Sequence, residues 1–583
     1  MIHFFKTEND IYYAVESLQE MSGTTIDKLI WLFEGASPIP GLAMDGYYIG
    51  PRKEIITPWS TNAVEITQNM GMSGIRRIEV FAKVDSDEET FDPMLETLYE
   101  NLDQHLFTID KQPDPVQLID DIAAFNQAEG LAMNTDEIQY LNELGQKLGR
   151  QLTDSEIFGF SQVNSEHCRH KIFNGTFIVD GVIKDQSLFQ MIKLTTATHT
   201  NRVISAYKDN CAFMQGPTME QFAPAQQDQP GFFEVRDIEA VFSLKAETHN
   251  FPTTVEPFNG AATGTGGEIR DRIGGGKASF PIAGTAVYMT AYPRLDNERN
   301  WEKATQARPW LYQTPEEILI KASNGASDFG NKFGQPLICG SVLTFEHFEN
   351  DRKLGYDKVV MLAGGVGYGR KEDSLKDTAS AGQALVLLGG DNYRIGMGGS
   401  AVSSVATGEY GNTIELNAVQ RSNPEMQKRV YNAIRALGEA EINPIVSIHD
   451  HGAGGHLNCF SELVEDTGAS IEIDKLPIGD PTLSAKEIVG NESQERMGLL
   501  LEEENIPLLQ KIADRERAPM YVIGKTTGDM QFTFKDSRSG ENPIDLKLAD
   551  MFGNPPKTIV TDETVPSQYA AVSYDEGRLI EYL

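Results

Sequence analysis

Apolar positions along the chain recur in two rhythms, and the change between them marks out its parts. From residue 1 to about 112, short segments of helical and strand-like period alternate. They comprise an amphipathic run at 10–21, a strand-like stretch at 53–58, a capped helix from Ser60 and a strand-like stretch at 77–84, which predicts a small α/β domain. The turn-forming QPDP then opens residues 113–157, a stretch of helical period with one helix capped at Thr135 and acids in its first turn, which predicts a helical linker. A third unit, 158–375, is rich in β-branched segments and holds a glycine-rich window; a fourth, 376–583, opens with the uniformly apolar ALVLLGG and then alternates helices and strands. The expected class is a multidomain α+β and α/β protein.

The window from Lys245 to Asp271, KAETHNFPTTVEPFNGAATGTGGEIRD, concentrates the chemistry. The β-prone stretch Val241 to Leu244 should carry Lys245 and Glu247 to a strand end. Gly260, Gly264, Gly266 and Gly267, with Thr263 and Thr265 between them, predict a loop whose backbone N–H groups close on phosphate oxygens. A hard Mg²⁺ ion takes oxygen ligands and usually only one or two carboxylates beside the phosphates, so Glu247 and Asp271 are the natural pair. His249 can orient or deprotonate an incoming nucleophile, or simply be hydrogen-bonded at the strand end; its closeness to Glu247 favours the functional role.

Three further clusters follow. SEHCRH, Ser165 to His170, sets His167 beside Cys168; adjacency does not make a nucleophile pair, so general-base work by His167 in a shared cleft is the stronger expectation. IHDHGAGGHLN places Asp450 at the end of an apolar strand before Gly452, Gly454 and Gly455 and a helix with Leu457, Phe460, Leu463 and Val464 on one face. A strand, a glycine turn and a helix N-terminus make an anion site, and Asp450 would complete a Mg²⁺ shell. GMGGSAVSS, Gly396 to Ser404, is a second such turn, whereas NESQERM, AVQRSNPEM and the stretch Tyr207 to Asn210 read, residue by residue, as solvated faces or caps.

Composition narrows the field. With 583 residues, about three or four domains are expected. Asp+Glu 85 against Lys+Arg 50 leaves a formal net charge of −35, which repels nucleic acid and anionic membranes. The apolar runs are far shorter than the roughly 20 residues a bilayer span needs. Charged residues interrupt the N-terminal stretch where a signal peptide would be apolar, and the four cysteines (168, 211, 339 and 459) include no CxxC pair. A cytoplasmic protein that binds neither nucleic acid nor membrane is expected.

Taken in order, SEHCRHKIFN, SLFQMIK, SAYKDN, KAETHNFPT, GAATGTGGEIRD, VQRSNPEM, IHDHGAGG and NESQER resemble the formylglycinamidine ribonucleotide synthase family, also called phosphoribosylformylglycinamidine synthase, over about residues 160–560. The N-terminal unit and helical linker resemble the start of its long, single-chain form. The resemblance implies one pair of domains like aminoimidazole ribonucleotide synthetase: an A domain, 158–375, forming half of a barrel and carrying the ATP and Mg²⁺ site, and an α/β B domain, 376–583, on the substrate side. It implies an ATP-dependent ligase step in purine biosynthesis that converts formylglycinamide ribonucleotide and ammonia to the amidine. In that reading Glu247, Asp271 and Asp450 hold Mg²⁺, and Lys245 with Gly260, Thr263, Gly264, Thr265, Gly266 and Gly267 holds ATP. Thr248, Asn250, Arg270, Gln420, Glu492, Ser493 and Gln494 contact the substrate, and His167 and His249 are the catalytic histidines.

Phe251 stands where family members commonly carry a second histidine, and His170 where the short form often has tyrosine. The long form continues into a second A/B pair and a glutaminase domain, so the chain is expected to be an N-terminal half that needs that second half and a glutaminase, or that pairs with a copy of itself through the A domain. Two alternatives stand beside this reading. One is another ligase or kinase of the same architecture, such as thiamine-phosphate kinase or selenophosphate synthetase; the other is a non-catalytic half that only scaffolds a partner.

Overall fold

The computed structural model describes the chain except residues 86–89, 296–298, 308, 310–311, 350, 494, 538, 554–556, 567–570 and 583. The N-terminal unit is a six-stranded antiparallel sheet in the order Ser37–Ile39, Ile2–Lys6, Ile11–Ser17, Ile75–Val84, Met44–Pro51, Glu96–Leu102. The amphipathic run at 10–21 resolves as the strand Ile11–Ser17. Tyr12 and Ala14 join one apolar cluster with Tyr48 and Phe81, while Val15 packs on the other face with Leu29 and Phe33, so its pattern has the period of two that belongs to a sheet covered on both sides. Residues 53–58 form no strand. Pro58 instead opens the helix Pro58–Asn69, and Thr57 rather than Ser60 caps it, its hydroxyl accepting from the Ser60 N–H at 3.0 Å.

The linker helices are Ile122–Glu129, Thr135–Leu148 and Asp154–Val163. Asn134, one residue before Thr135, caps the second in a reciprocal box with Glu137, and Thr153 with Glu156 does the same for the third. Every residue of Asp154–Val163 is buried, and Phe158 and Phe160 share one core with Leu387, Leu457 and Met551. The linker is thus welded to the B domain rather than strung beside it.

The A sheet has six strands in the order Val203–Ser205, Ala212–Pro224, Phe233–Thr248, Val360–Arg370, Phe280–Thr290, Leu337–Thr344, and it stays open. One face packs on the helices Pro257–Ile273 and Pro315–Phe333. The sheet's strands also leave Phe222, Phe233, Val235, Phe242, Ile338 and Val342 exposed, more large apolar side chains than a monomer usually presents. The B sheet has seven strands and is built around the wholly buried Ala384–Gly389, flanked by Arg496–Leu501 and Met520–Thr526; Ile445–Asp450 lies at its edge beside Arg496–Leu501. A shared apolar core in which Ile269 and Ile273 meet Leu388, Ile434 and Met497 fuses the A and B domains. Among the described residues, no helix is long and apolar enough to cross a membrane.

Candidate functional site

The strand Phe233–Thr248 delivers Lys245 and Glu247 to one face, because alternate residues of a strand point the same way. Here the structure corrects the expected loop. Residues Pro257–Ile273 form one helix, started by Pro257, and Gly260 to Gly266 are buried along it. Amides beyond the first turn of a helix are already spent on its own carbonyls, so these glycines cannot form a backbone cradle. They serve close packing instead: a Cβ would stand 2.4 Å from the Pro252 backbone at Gly260, 2.8 Å from His249 at Gly264 and 2.6 Å from Phe329 at Gly266. Thr263 donates to the Asn259 carbonyl at 2.8 Å, and Thr265 is fully buried. Gly267 alone of the four faces open space, with Glu247 and Arg270 about a van der Waals contact away from where its Cβ would be.

One turn on, the same helix presents Arg270 and Asp271. The Lys245 ammonium lies 2.7 Å from Asp271 and 3.3 Å from Glu247. Asp450, at the end of Ile445–Asp450, reaches the same place from the B domain: the Asn210 amide nitrogen donates to Asp450 at 2.7 Å and to Asp271 at 3.1 Å. The three carboxylates chosen as metal ligands therefore converge, strung together by an ammonium and an amide.

The charges there are strongly perturbed. Burial would lower the pKa of Lys245, but Asp271 and Glu247 outweigh it and raise it. Burial pushes the Asp271 carboxyl well up against the pull of Lys245, and Asp450 and Glu247 push it further. Burial also opposes ionisation of Glu247 and of Asp450, yet both are held below the usual carboxylate range, Glu247 by Lys245, His167 and His249, and Asp450 by His449, Arg270 and Lys245. The His449 ring lies 3.3 Å from Asp450 on one side and 2.9 Å from Glu462 on the other, which raises its pKa well above the ordinary value although burial alone would lower it.

Arg270 is buried among acids, paired with Glu495, receiving support from Gln427 at 2.9 Å and standing 4.0 Å from Asp450. Its buried Nε, the atom nearest Asp450, makes no hydrogen bond among the described residues. Gln420 donates to the Glu492 carbonyl, while its own side-chain oxygen makes no hydrogen bond among the described residues. Burial lifts the Glu492 carboxyl to about 8 despite the nearby Arg270.

The other expected residues divide. Asn250 and Ser493 are engaged with backbone: the Asn250 oxygen accepts from the Met361 N–H at 2.9 Å and the Ser493 hydroxyl from the Tyr393 N–H at 2.7 Å. The Thr248 side is exposed, and Gln494 lies outside the described residues.

His249 contacts the Gly260 carbonyl through Nδ1. A carbonyl can only accept, so Nδ1 carries the hydrogen; burial lowers the ring's pKa and favours the neutral form, in which Nε2 keeps its lone pair. His167 sits on the short helix Glu166–Arg169, open to the cleft; the crowding of protein around it nonetheless lowers its pKa, with Glu247 opposing. His170, beyond it, stacks on Phe189 with ring centres 5.8 Å apart.

Residue-by-residue reading missed Asn210, Gln427, His449 and Glu495. Asn210 stood inside SAYKDN, one of the segments carrying the family resemblance, and that was the available signal.

Could the site take the implied ion? Among the described residues, no three His, Cys, Asp or Glu side chains form a ready-made metal cage. Magnesium does not require one: it keeps waters and takes one or two carboxylates with substrate phosphates. The donor set is all oxygen, and the Lys245 ammonium already occupies the place between Glu247 and Asp271 where a cation is stabilised. The residues fit the ion.

Three protein-family models match the chain: formylglycinamide ribonucleotide amidotransferase N-terminal over residues 10–108, formylglycinamide ribonucleotide amidotransferase linker domain over 122–171, and AIR synthase related protein, C-terminal domain, over 380–537. Residues 10–108 and 122–171 thus match models named for formylglycinamide ribonucleotide amidotransferase, and 380–537 a model shared with AIR synthase related proteins. The fold is similar to that of a Thermotoga maritima PurL complexed with FGAR, which matches with TM-score 0.51 and 22% identity, over 75% of this chain and 59% of that one. A PurL from the same organism complexed with ATP matches with TM-score 0.48 and 22% identity, over 76% of this chain and 60% of that one. A HypE–HypF complex matches with TM-score 0.37 and 14% identity, over 60% of this chain and 97% of that one. The chain thus spans about three fifths of the PurL chains. The linker match runs past 157 to 171 and so takes in His167.

Proposed function

We propose that this chain supplies the synthetase site that converts formylglycinamide ribonucleotide, with ATP and ammonia, to formylglycinamidine ribonucleotide. The single observation that carries the reading is the convergence of Glu247, Asp271 and Asp450 on Lys245 and Asn210. An amide carbon is a poor target because its oxygen is a poor leaving group. Transfer of the γ-phosphoryl group to that oxygen, with release of ADP, gives an O-phosphoryl imidate; ammonia then adds to the carbon, and phosphate departs with the former amide oxygen.

In this reading Glu247, Asp271 and Asp450 would hold Mg²⁺, which when bound would offset charge on the transferring phosphoryl group. Lys245 turns from its carboxylates to the phosphates, beside the open face of Gly267. The nucleotide role once expected of Gly260 to Gly266 passes to these two residues and to the glycine turns at 396–399 and 452–455. Arg270 and Gln420, whose Nε and side-chain oxygen make no hydrogen bond among the described residues, orient the amide and its ribonucleotide. Ammonia added to carbon must lose a proton, and the unprotonated rings of His167 and His249 can accept it. Thr248, Asn250, Glu492, Ser493 and Gln494 remain in the proposed substrate set, Asn250 and Ser493 by fixing the backbone around it.

The domain reading, 1–112, 113–157, 158–375 and 376–583, belongs to the same proposal, as does a cytoplasmic setting. The exposed apolar residues of the open A sheet support a partner there: a second synthetase half, or another copy of this chain. Ammonia would come from a glutaminase domain or subunit.

The experiment is turnover of formylglycinamide ribonucleotide labelled with ¹⁸O at the amide, with ATP, Mg²⁺ and ammonium, alone and with a second synthetase half added. Label in inorganic phosphate is expected. ADP release with aminoimidazole precursors or other acceptors but not with this substrate would favour a different ligase or kinase. Nucleotide binding without turnover under every condition would favour a scaffold.

A further inference from the structure

We infer that Asn210 is a positioning residue that holds Asp271 and Asp450, carboxylates from two different domains, at the spacing a divalent ion and its nucleotide require. The inference rests on the proposed reading of those carboxylates as metal ligands. Asn210 lies in the irregular stretch between the strands Val203–Ser205 and Ala212–Pro224, 61 residues from Asp271 and 240 from Asp450. Its amide nitrogen donates to both. Its oxygen accepts from the Lys376 ammonium at 3.3 Å. An ammonium only donates, so the amide oxygen faces Lys376 and the amide nitrogen faces the two carboxyl groups.

The network continues outward. Lys376, at the start of the B domain, also pairs with Asp209 at 2.6 Å, and the other Asp209 oxygen accepts from the Gly276 N–H at 2.7 Å, just past the end of the helix that carries Asp271. Asn210 therefore ties the metal-side carboxylates to the segment that joins the two domains. The choice of residue matters. Two carboxylates brought together repel, and a lysine in this place would hold them by neutralising them. A neutral amide gives each a hydrogen bond and leaves their negative charge for the incoming cation. Outer partners that orient metal ligands typically contribute about 10–100-fold to metal affinity.

The test uses Mn²⁺ as the probe, titrated by electron paramagnetic resonance into the full chain and into Asn210→Leu, which has similar volume and no donor. The expected result is Mn²⁺ binding weakened about 10–100-fold in a variant whose circular dichroism matches the parent. Should Asn210→Leu fail to fold, Asn210→Ser keeps one donor and should show a smaller loss in the same direction. Equal Mn²⁺ affinity in a folded variant overturns the inference.

A second arm needs no metal: in EDTA, the melting temperatures of the single and double variants of Asn210→Leu and Asp450→Asn should be non-additive. If the parent binds no Mn²⁺ and the cycle is still non-additive, the metal assignment falls while Asn210 keeps its positioning role. An additive cycle overturns that role.

Discussion

Replacing Lys245 by methionine probes the site where the account makes its least ordinary demand. The ammonium stands 2.7 Å from Asp271 and 3.3 Å from Glu247. At an effective dielectric of about 20, those contacts correspond to gross attractions of about 6 and 5 kcal/mol, most of which repays the cost of taking the charges out of water. Removing one partner of such a cluster typically costs about 3–5 kcal/mol, because the remaining carboxylates stay buried and repel. The side chain is 24% exposed, so water reaches it and the lower end applies.

Lys245→Met should accordingly melt below the parent in EDTA. It should also gain more from Mg²⁺ than the parent does, because a divalent ion no longer competes with a tethered cation for the same two carboxylates. A ligand at 100 times its dissociation constant contributes about 2.7 kcal/mol, enough to recover most of the loss. ATP binding should weaken in the same variant. The assay is differential scanning fluorimetry across a Mg²⁺ series. Equal melting in EDTA, or an equal Mg²⁺ shift in parent and variant, would show that Lys245 does not occupy the cation's place.

Three further outcomes follow from the same geometry. Glu492 holds its proton to about 8 in the folded protein against an ordinary 4.5, so the native state binds more protons than the unfolded state between those values and stability falls as pH rises through them, by about 1.4 kcal/mol per pH unit at most. Glu492→Gln should flatten that part of the profile in denaturant titrations run in EDTA, and an unchanged slope would refute the assignment. Gly260→Ala should lower stability by about 1–3 kcal/mol or more through overpacking, whereas Gly267→Ala should fold normally and weaken only nucleotide binding; a normally stable Gly260→Ala that loses nucleotide affinity would restore the cradle. Light scattering of the isolated chain should show self-association that Val235→Glu with Phe242→Glu reduces, and a monomeric parent would remove the exposed apolar residues of the A sheet as a docking surface.

How far the sequence alone reaches depends on the range of the interaction being read. The strand that ends at Lys245 and Glu247 and the buried strand Ala384–Gly389 are both visible from apolar residues adjacent in the chain, since those runs are the sheets' own cores. Asp271 and Asp450 were legible as acids beside glycine-rich segments, and the family resemblance placed them together. The glycines of Pro257–Ile273 misled because a helix packed against backbone needs small residues as much as a phosphate loop does. In the same way, residues 10–21 carry a pattern that only the two-sided burial of Ile11–Ser17 decides. Asn210 lay in a segment that carried the resemblance, but its role was not legible from the residue itself: an asparagine in a turn is ordinary, and its meaning lies in partners far away in the chain. The pairing of Arg270 with Glu495 is hidden in the same way.

The most direct test of the account is anomalous diffraction from crystals of the chain grown with Mn²⁺ and a non-hydrolysable ATP analogue. Peaks are predicted between Glu247, Asp271 and Asp450, with Lys245 withdrawn from its carboxylates onto the phosphates. Manganese and nucleotide bound in another cleft, with Lys245 still bridging Glu247 and Asp271, would contradict it.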